Sequence, residues 1–140
     1  MLQNCHTVRV EFGDCDPTGM VFHPRYFAWF DASFHALMRS AGTSLQAMQA
    51  DFGIHGIPLV ESHVRFHRPS GIGDLIDIKT AVTSVHRCMF NISHHIHKQG
   101  ILIVQTSETR AWTVLDPDHQ TVRAYPIPEQ VRQILSMDNF

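Results

Sequence analysis

The sequence predicts an α+β fold, an antiparallel sheet of five to six strands wrapped around one long helix. Three observations carry this. A short alternating segment near the N-terminus is followed by a long stretch whose apolar residues recur at steps of three and four, the period of a helix. From Ile57 onward the period drops to two and holds through several runs divided by turn residues. The helical stretch is apolar over more than one face, which a helix enclosed by a sheet requires.

Taken in order, residues 7–13 read as the first strand, with Val8, Val10 and Phe12 alternating with polar neighbours. Asp14, Asp16, Pro17 and Gly19 then form a turn. Pro24 suits a first helical position, where its missing N–H costs nothing. The helix over residues 24–41 places Phe27, Phe30, Phe34, Leu37, Met38 and Ala41 on one face, with Tyr26, Trp29 and Ser33 off that stripe. Gly42 fits the left-handed position beyond the helix end, and Arg39 suits the negative end of the dipole. Thr43 and Gln46 have capping-box spacing, so a short helix runs to Asp51, burying Leu45, Met48 and Phe52.

Val60, Ser62, Val64 and Phe66 alternate through the next strand, which Pro69 and the G-I-G-D turn end. A strand over residues 75–85 puts Ile76, Ile78, Thr80 and Val82 on one face; another over 89–98 does the same with Phe90, Ile92, His94 and Ile96. A long strand over 101–114 follows, and D-P-D-H closes a hairpin into residues 121–125. Pro128 starts a terminal helix over 128–137, using Val131, Ile134 and Leu135.

With 140 residues the chain forms one domain, residues 1–140, and its 44% apolar share is that of a globular protein. No apolar run reaches the ~18 residues of a membrane span, and the N-terminus lacks a signal-peptide pattern. The three cysteines, Cys5, Cys15 and Cys88, have unrelated spacings, so free thiols and a cytoplasmic location are expected. A net charge of −2 gives no field for nucleic acid. The 11 histidines make the net charge change sign in mild acid.

The chemistry centres on Arg9 to Asp31. A carboxylate pair, Asp14 and Asp16, lies in a loop that delivers the chain onto a helix N-terminus. Free N–H groups and the positive end of the dipole can hold a carbonyl oxygen gaining negative charge there. The plain alternative is that both aspartates only satisfy loop N–H groups. The turn at Pro17 and Gly19 is expected to rotate Asp16 away from Asp14, leaving Asp14 to brace the loop.

The run D-C-D-P-T-G-M-V-F-H-P-R-Y, preceded by V-E-F, resembles the active-site segment of the 4-hydroxybenzoyl-CoA thioesterase family, of hotdog fold. G-I-P-L-V, R-P-S-G-I-G-D-L and R-A-Y-P-I-P extend the likeness, more thinly, over most of the chain. The resemblance implies an acyl-CoA thioesterase. Asp16 would be the catalytic carboxylate, the backbone N–H of His23 the oxyanion donor, and Asp31 a contact to the acyl group. Phe22 and Trp29 would supply apolar surface beside it. Family practice implies a homo-oligomer, a dimer that doubles to a tetramer, with sites at subunit contacts.

The preferred substrate is an aromatic, hydroxybenzoyl-type CoA ester. Its hydrolysis needs no cofactor, since CoA belongs to the substrate. Asp16 serves as nucleophile or general base, a choice the sequence leaves open. His23 departs from the family's aromatic hydroxyl residue, and members with histidine there act on shorter or aliphatic acyl groups. The alternatives are therefore a short-chain aliphatic acyl-CoA hydrolase and a CoA-ester binding module without turnover. CoA phosphates call for cations at the pocket rim, with Arg68, Arg87 and Arg123 as candidates. The family's basic cluster is reduced to Arg87 within His86-Arg87-Cys88. His63 with His67, and His95 with His97, share strand faces. Without H-E-x-x-H or Cys/His spacing, no metal site is expected. Cys15 has no base partner in sequence.

Overall fold

Strict alternation builds the middle of the molecule. The computed structural model describes residues 1–118 and 120–139. Its strands are β1 (Gln3–Arg9), β2 (Leu59–Phe66), β3 (Leu75–Val85), β4 (Met89–Lys98), β5 (Ile101–Ala111), β6 (Thr113–Leu115) and β7 (Val122–Ala124). Its helices are α1 (Pro24–Ser40), α2 (Leu45–Phe52) and α3 (Glu129–Leu135). The first five strands form one antiparallel sheet in the order β1-β3-β4-β5-β2, and β6 and β7 make a separate hairpin. Ile76, Ile78, Thr80 and Val82 of β3 and Phe90, Ile92, His94 and Ile96 of β4 are all buried, as the period predicts.

Helix α1 lies against that face. Tyr26, Phe30, Ser33, Phe34, Leu37 and Met38 are buried, and each large apolar side chain contributes about 1.5–3 kcal/mol. The Phe30 ring stacks on His94 at 5.1 Å, and Phe34 meets Phe90 at 6.3 Å. One cluster joins Phe34, Leu37 and Met38 to Trp112 and α3. A second joins Tyr26 and Phe30 to Val10, Ile76, Ile96 and Val104, beside the Asp14–Asp16 loop.

Local chemistry shifts several expected boundaries. The first strand is Gln3–Arg9 rather than 7–13, and Phe12 is 82% exposed. Asp14 captures the Glu11 amide through its side chain at 2.8 Å, coiling Phe12–Asp14 into a 3₁₀ turn. Phe27, placed on the buried stripe by spacing, is exposed, while Tyr26 is buried. The α2 cap is Ser44, not Thr43; its hydroxyl accepts from Ala47 N at 3.0 Å. The fifth strand ends at Ala111, and beyond Trp112 the chain turns to pair Thr113–Leu115 with β7 as a separate hairpin. Pro128 is the cap of α3 rather than its first residue. His119 of the D-P-D-H turn lies outside the described residues.

Strand β2 is an edge whose Leu59, Val60 and Phe66 stay exposed. No helix among the described residues is long and apolar enough to cross a membrane.

Candidate active site

The D-P-T-G segment is a tight hairpin, and each residue has a reason to be there. Gly19 N bonds Asp16 O and Asp16 N bonds Met20 O, both at 2.9 Å. Pro17 presets the second turn position, and Gly19 adopts φ 81°, the left-handed conformation that closes such loops. The hairpin pairs Cys15 with Val21 and then hands Met20 to Gly71 beside β3. Phe22 N bonds Asp14 O at 2.9 Å, which aims the chain into α1.

The two aspartates have separate surroundings. Asp14 bonds the Glu11 amide and pairs with Arg25 Nε at 3.1 Å, so it braces the loop as expected. Asp16 accepts from Thr18 N at 2.8 Å and from the Thr18 hydroxyl. The hydroxyl bond first, then the amide bond, holds its carboxyl below the usual 3.8. Asp16 is therefore ionised at neutral pH, half-buried, and fixed by its own turn.

His23 precedes Pro24, and its amide donates to no partner among the described residues. Its backbone is already helical, with φ −54° and ψ −33°. It lies in the wall of a cleft of about 300 Å³ formed with Met20, Val21, Tyr26, Phe66 and Arg68. Asp16 does not line this cleft in the single chain; its cross-strand neighbour Met20 does. Burial pushes the Tyr26 phenol up, so the cleft floor carries a neutral hydroxyl. Burial, then Asp14 and Asp16, push the Cys15 thiol up, the wrong direction for a nucleophile.

Asp31 borders a second cavity of about 330 Å³, walled by Phe27, Phe30, Phe34, His35 and Arg110 among others. Its carboxylate lies 3.3 Å from Arg110 Nη2 and 3.6 Å from His35 Nε2. Trp29 is half-buried against the cluster of Tyr26, Phe30 and Val10, edge-on to Tyr26 at 5.5 Å. Phe22 is 52% exposed and packs edge-on against the His23 ring.

The three candidate CoA arginines do not converge. Arg68 follows β2 and stands between the His23 cleft and a neighbouring one that includes Lys98. Arg87 lies in the β3–β4 hairpin at the other end of the sheet, near Ile127, whose amide its carbonyl receives. Arg123 is paired with Asp116 and lies 5.5 Å over Tyr125.

His63 pairs with Glu61 at 2.8 Å, and no group of three or more metal-ligating side chains occurs among the described residues. Burial first, then His97, holds His95 below its usual range. Sequence reasoning missed Glu108 and Arg110. The signal was available, because both continue the face of β5 that begins with buried Val104 and Thr106.

Comparison with known proteins bears on the family and the fold. The chain matches the thioesterase-like superfamily over residues 10–135. It is 27% identical to the 4-hydroxybenzoyl-CoA thioesterase of Pseudomonas sp. (strain CBS-3), over 91% of this chain and 94% of that one. It is 24% identical to a 1,4-dihydroxy-2-naphthoyl-CoA hydrolase of Synechococcus elongatus, with 91% of each chain covered. Among solved structures, the Pseudomonas enzyme superposes with a TM-score of 0.87 at 25% identity, covering 96% of this chain and 99% of that one. An Asp-to-Asn variant of a 4-hydroxybenzoyl-CoA thioesterase, complexed with 4-hydroxybenzoyl-CoA, gives 0.88 at 25% identity, covering 97% and 100%. A gentisyl-coenzyme A thioesterase gives 0.79 at 30% identity, covering 96% and 100%. With one sheet wrapped around α1 and a family match along nearly its whole length, the chain belongs to the thioesterase-like superfamily of hotdog-fold enzymes.

Proposed function

We propose that this protein hydrolyses aromatic, hydroxybenzoyl-type acyl-CoA thioesters to the free acid and CoA. The observation that carries the reading is the unpaired His23 amide in a cleft wall at the start of α1, next to a hairpin that holds Asp16 ionised. That amide and the helix dipole stabilise the oxyanion formed when the thioester carbonyl is attacked. Asp16 either attacks the carbonyl carbon itself or takes the proton from an attacking water. In both routes the C–S bond breaks, CoA leaves as the thiol, and water supplies the acid's new oxygen. No cofactor is needed beyond the CoA carried by the substrate. The relatives named for hydroxybenzoyl, dihydroxynaphthoyl and gentisyl thioesters support an aromatic acyl group, as do the phenylalanines of the Asp31 cavity.

The working unit is a homo-oligomer, a dimer that can double to a tetramer. His23 lines the cleft of about 300 Å³ and Asp31 the separate cavity of about 330 Å³; in the oligomer the carbonyl and the far end of the ring are served by different copies. The exposed apolar edge of β2 offers the joining surface. Arg68 takes CoA phosphates beside the cleft, and Arg87 and Arg123 reach them from another copy. Free cysteines fit a cytoplasmic location.

Release of CoA thiol from benzoyl-, 4-hydroxybenzoyl- and short aliphatic acyl-CoA tests the proposal. Fastest turnover on the hydroxyaryl ester is expected. Preference for an aliphatic ester would overturn the aromatic reading, and tight binding without thiol release would make the chain a CoA-ester binder.

A further inference from the structure

The inner face of the sheet buries a chain of polar side chains that the hydrolytic chemistry does not use. Thr80 on β3, His94 on β4, and Glu108 and Arg110 on β5 are each 5% exposed or less. Thr80 Oγ1 and His94 Nδ1 are 2.7 Å apart, and His94 Nε2 is hydrogen-bonded to Glu108 Oε1. Glu108 Oε2 lies 3.8 Å from Arg110 Nη2. Phe30 stacks on the imidazole, and the guanidinium lies over Phe34, 4.0 Å from the ring centroid. Charged groups so deep in an apolar core are costly, and replacing them with apolar side chains is often neutral or stabilising. What they fix here is the Arg110 guanidinium.

Arg110 and Glu108 line the same cavity as Asp31. Arg110 Nη1 reaches Ile57 O and Nη2 reaches Asp31 Oδ1, both at a long 3.3 Å, while Nε has no partner among the described residues. A guanidinium carries five donors in a rigid fork, and this fork is under-used. Beside it stands the Asp31 carboxylate, 59% exposed and free to accept from a ligand.

We infer that Arg110 is a further specificity-determining residue at the cavity where the resemblance sets Asp31 against the acyl group: it donates to the oxygen of a ring hydroxyl whose proton Asp31 accepts. Thr80, His94 and Glu108 are positioning residues that hold the guanidinium at that wall. The inference rests on the aryl-CoA reading above. A methoxy group offers Asp31 no proton, and an unsubstituted ring offers neither group a partner. A ring carboxylate meets two carboxylates against one guanidinium and is repelled.

The test uses hydrolytically inert thioether analogues of benzoyl-, 3-hydroxybenzoyl-, 4-hydroxybenzoyl- and 4-methoxybenzoyl-CoA, titrated calorimetrically. The proteins are the intact wild type, Arg110→Lys, and the double variant Glu108→Gln/Arg110→Met. The double variant removes both buried charges together, so neither is stranded. One hydroxyl analogue is expected to bind the wild type about 10–100-fold more tightly than the unsubstituted one, the range of a hydrogen bond to a charged group. That ratio collapses toward one in the double variant and falls in Arg110→Lys, which keeps the charge but loses the fork. A merely structural role weakens all analogues alike and leaves the ratio intact, which overturns the inference. So does equal wild-type affinity for hydroxylated and bare rings. If the wild type cleaves no thioester the hydrolase proposal falls, while the analogue ratio still decides for or against the reader.

Discussion

Thr80 and Thr106 flank His94 in register on the two strands beside it, and replacing each by valine should have opposite effects. The swap keeps side-chain shape, so no cavity opens at either site. At position 80 it removes the 2.7 Å contact to His94 Nδ1 and strands a polar atom of a residue that is 0% exposed. Leaving one buried partner unsatisfied costs about 1–3 kcal/mol. In a domain of this size that lowers the melting temperature by roughly 3–9 °C. Thr106 Oγ1 is buried with no partner among the described residues, so valine there removes an unpaid desolvation penalty and is neutral or stabilising by up to about 1 kcal/mol. Urea unfolding at pH 7 and fixed protein concentration reads both variants, with the slope of the transition as the control for compactness. Thr80→Val within error of wild type, or Thr106→Val the more damaging of the two, would refute the assignment of the network.

Asp16→Asn keeps an acceptor for Thr18, so the urea midpoint stays near wild type while kcat falls about 10²–10⁴-fold; parallel kinetics and unfolding curves check this. Asp74 is held below the usual 3.8 by its bond from Lys98 and then by the Gly71 amide. Its contribution is complete above the unfolded value and is lost as pH falls through the lowered folded one. Lys98→Met should therefore flatten the acid side of a stability–pH profile measured by urea midpoints. Val60→Lys with Phe66→Asp should shift the oligomer toward monomer in sedimentation velocity and abolish hydrolysis with it. Active monomers would contradict a site shared between copies.

Much of the architecture was legible because hairpin-linked strands write their burial into a period of two. The β3 and β4 faces follow it residue by residue. The same rule misled at Phe12, where alternation continues in sequence but Asp14 seizes the Glu11 amide and ends the strand. Ser44 displaced Thr43 as a cap because one residue of offset decides which hydroxyl meets the third helical amide, and spacing alone does not fix that offset. At the site, the turn chemistry of Asp16, Pro17 and Gly19 was readable. The network was not. His94 on an apolar face signalled a need for partners, but those come from neighbouring strands whose register the sequence does not reveal. Arg110 shares the two-residue period of buried Val104 and Thr106, but only the folded sheet shows its guanidinium lying over Phe34.

The central claim is spatial, that the side chain of Asp16 and the amide of His23 hold one thioester carbonyl between them. A crystal structure of the Asp16→Asn variant in its natural oligomer, with 4-hydroxybenzoyl-CoA bound, measures this directly. The account predicts the carbonyl oxygen within hydrogen-bond distance of His23 N and the carboxamide of residue 16 beside the carbonyl carbon. An acyl group seated away from the start of α1, or a residue 16 turned to bulk solvent, would contradict it.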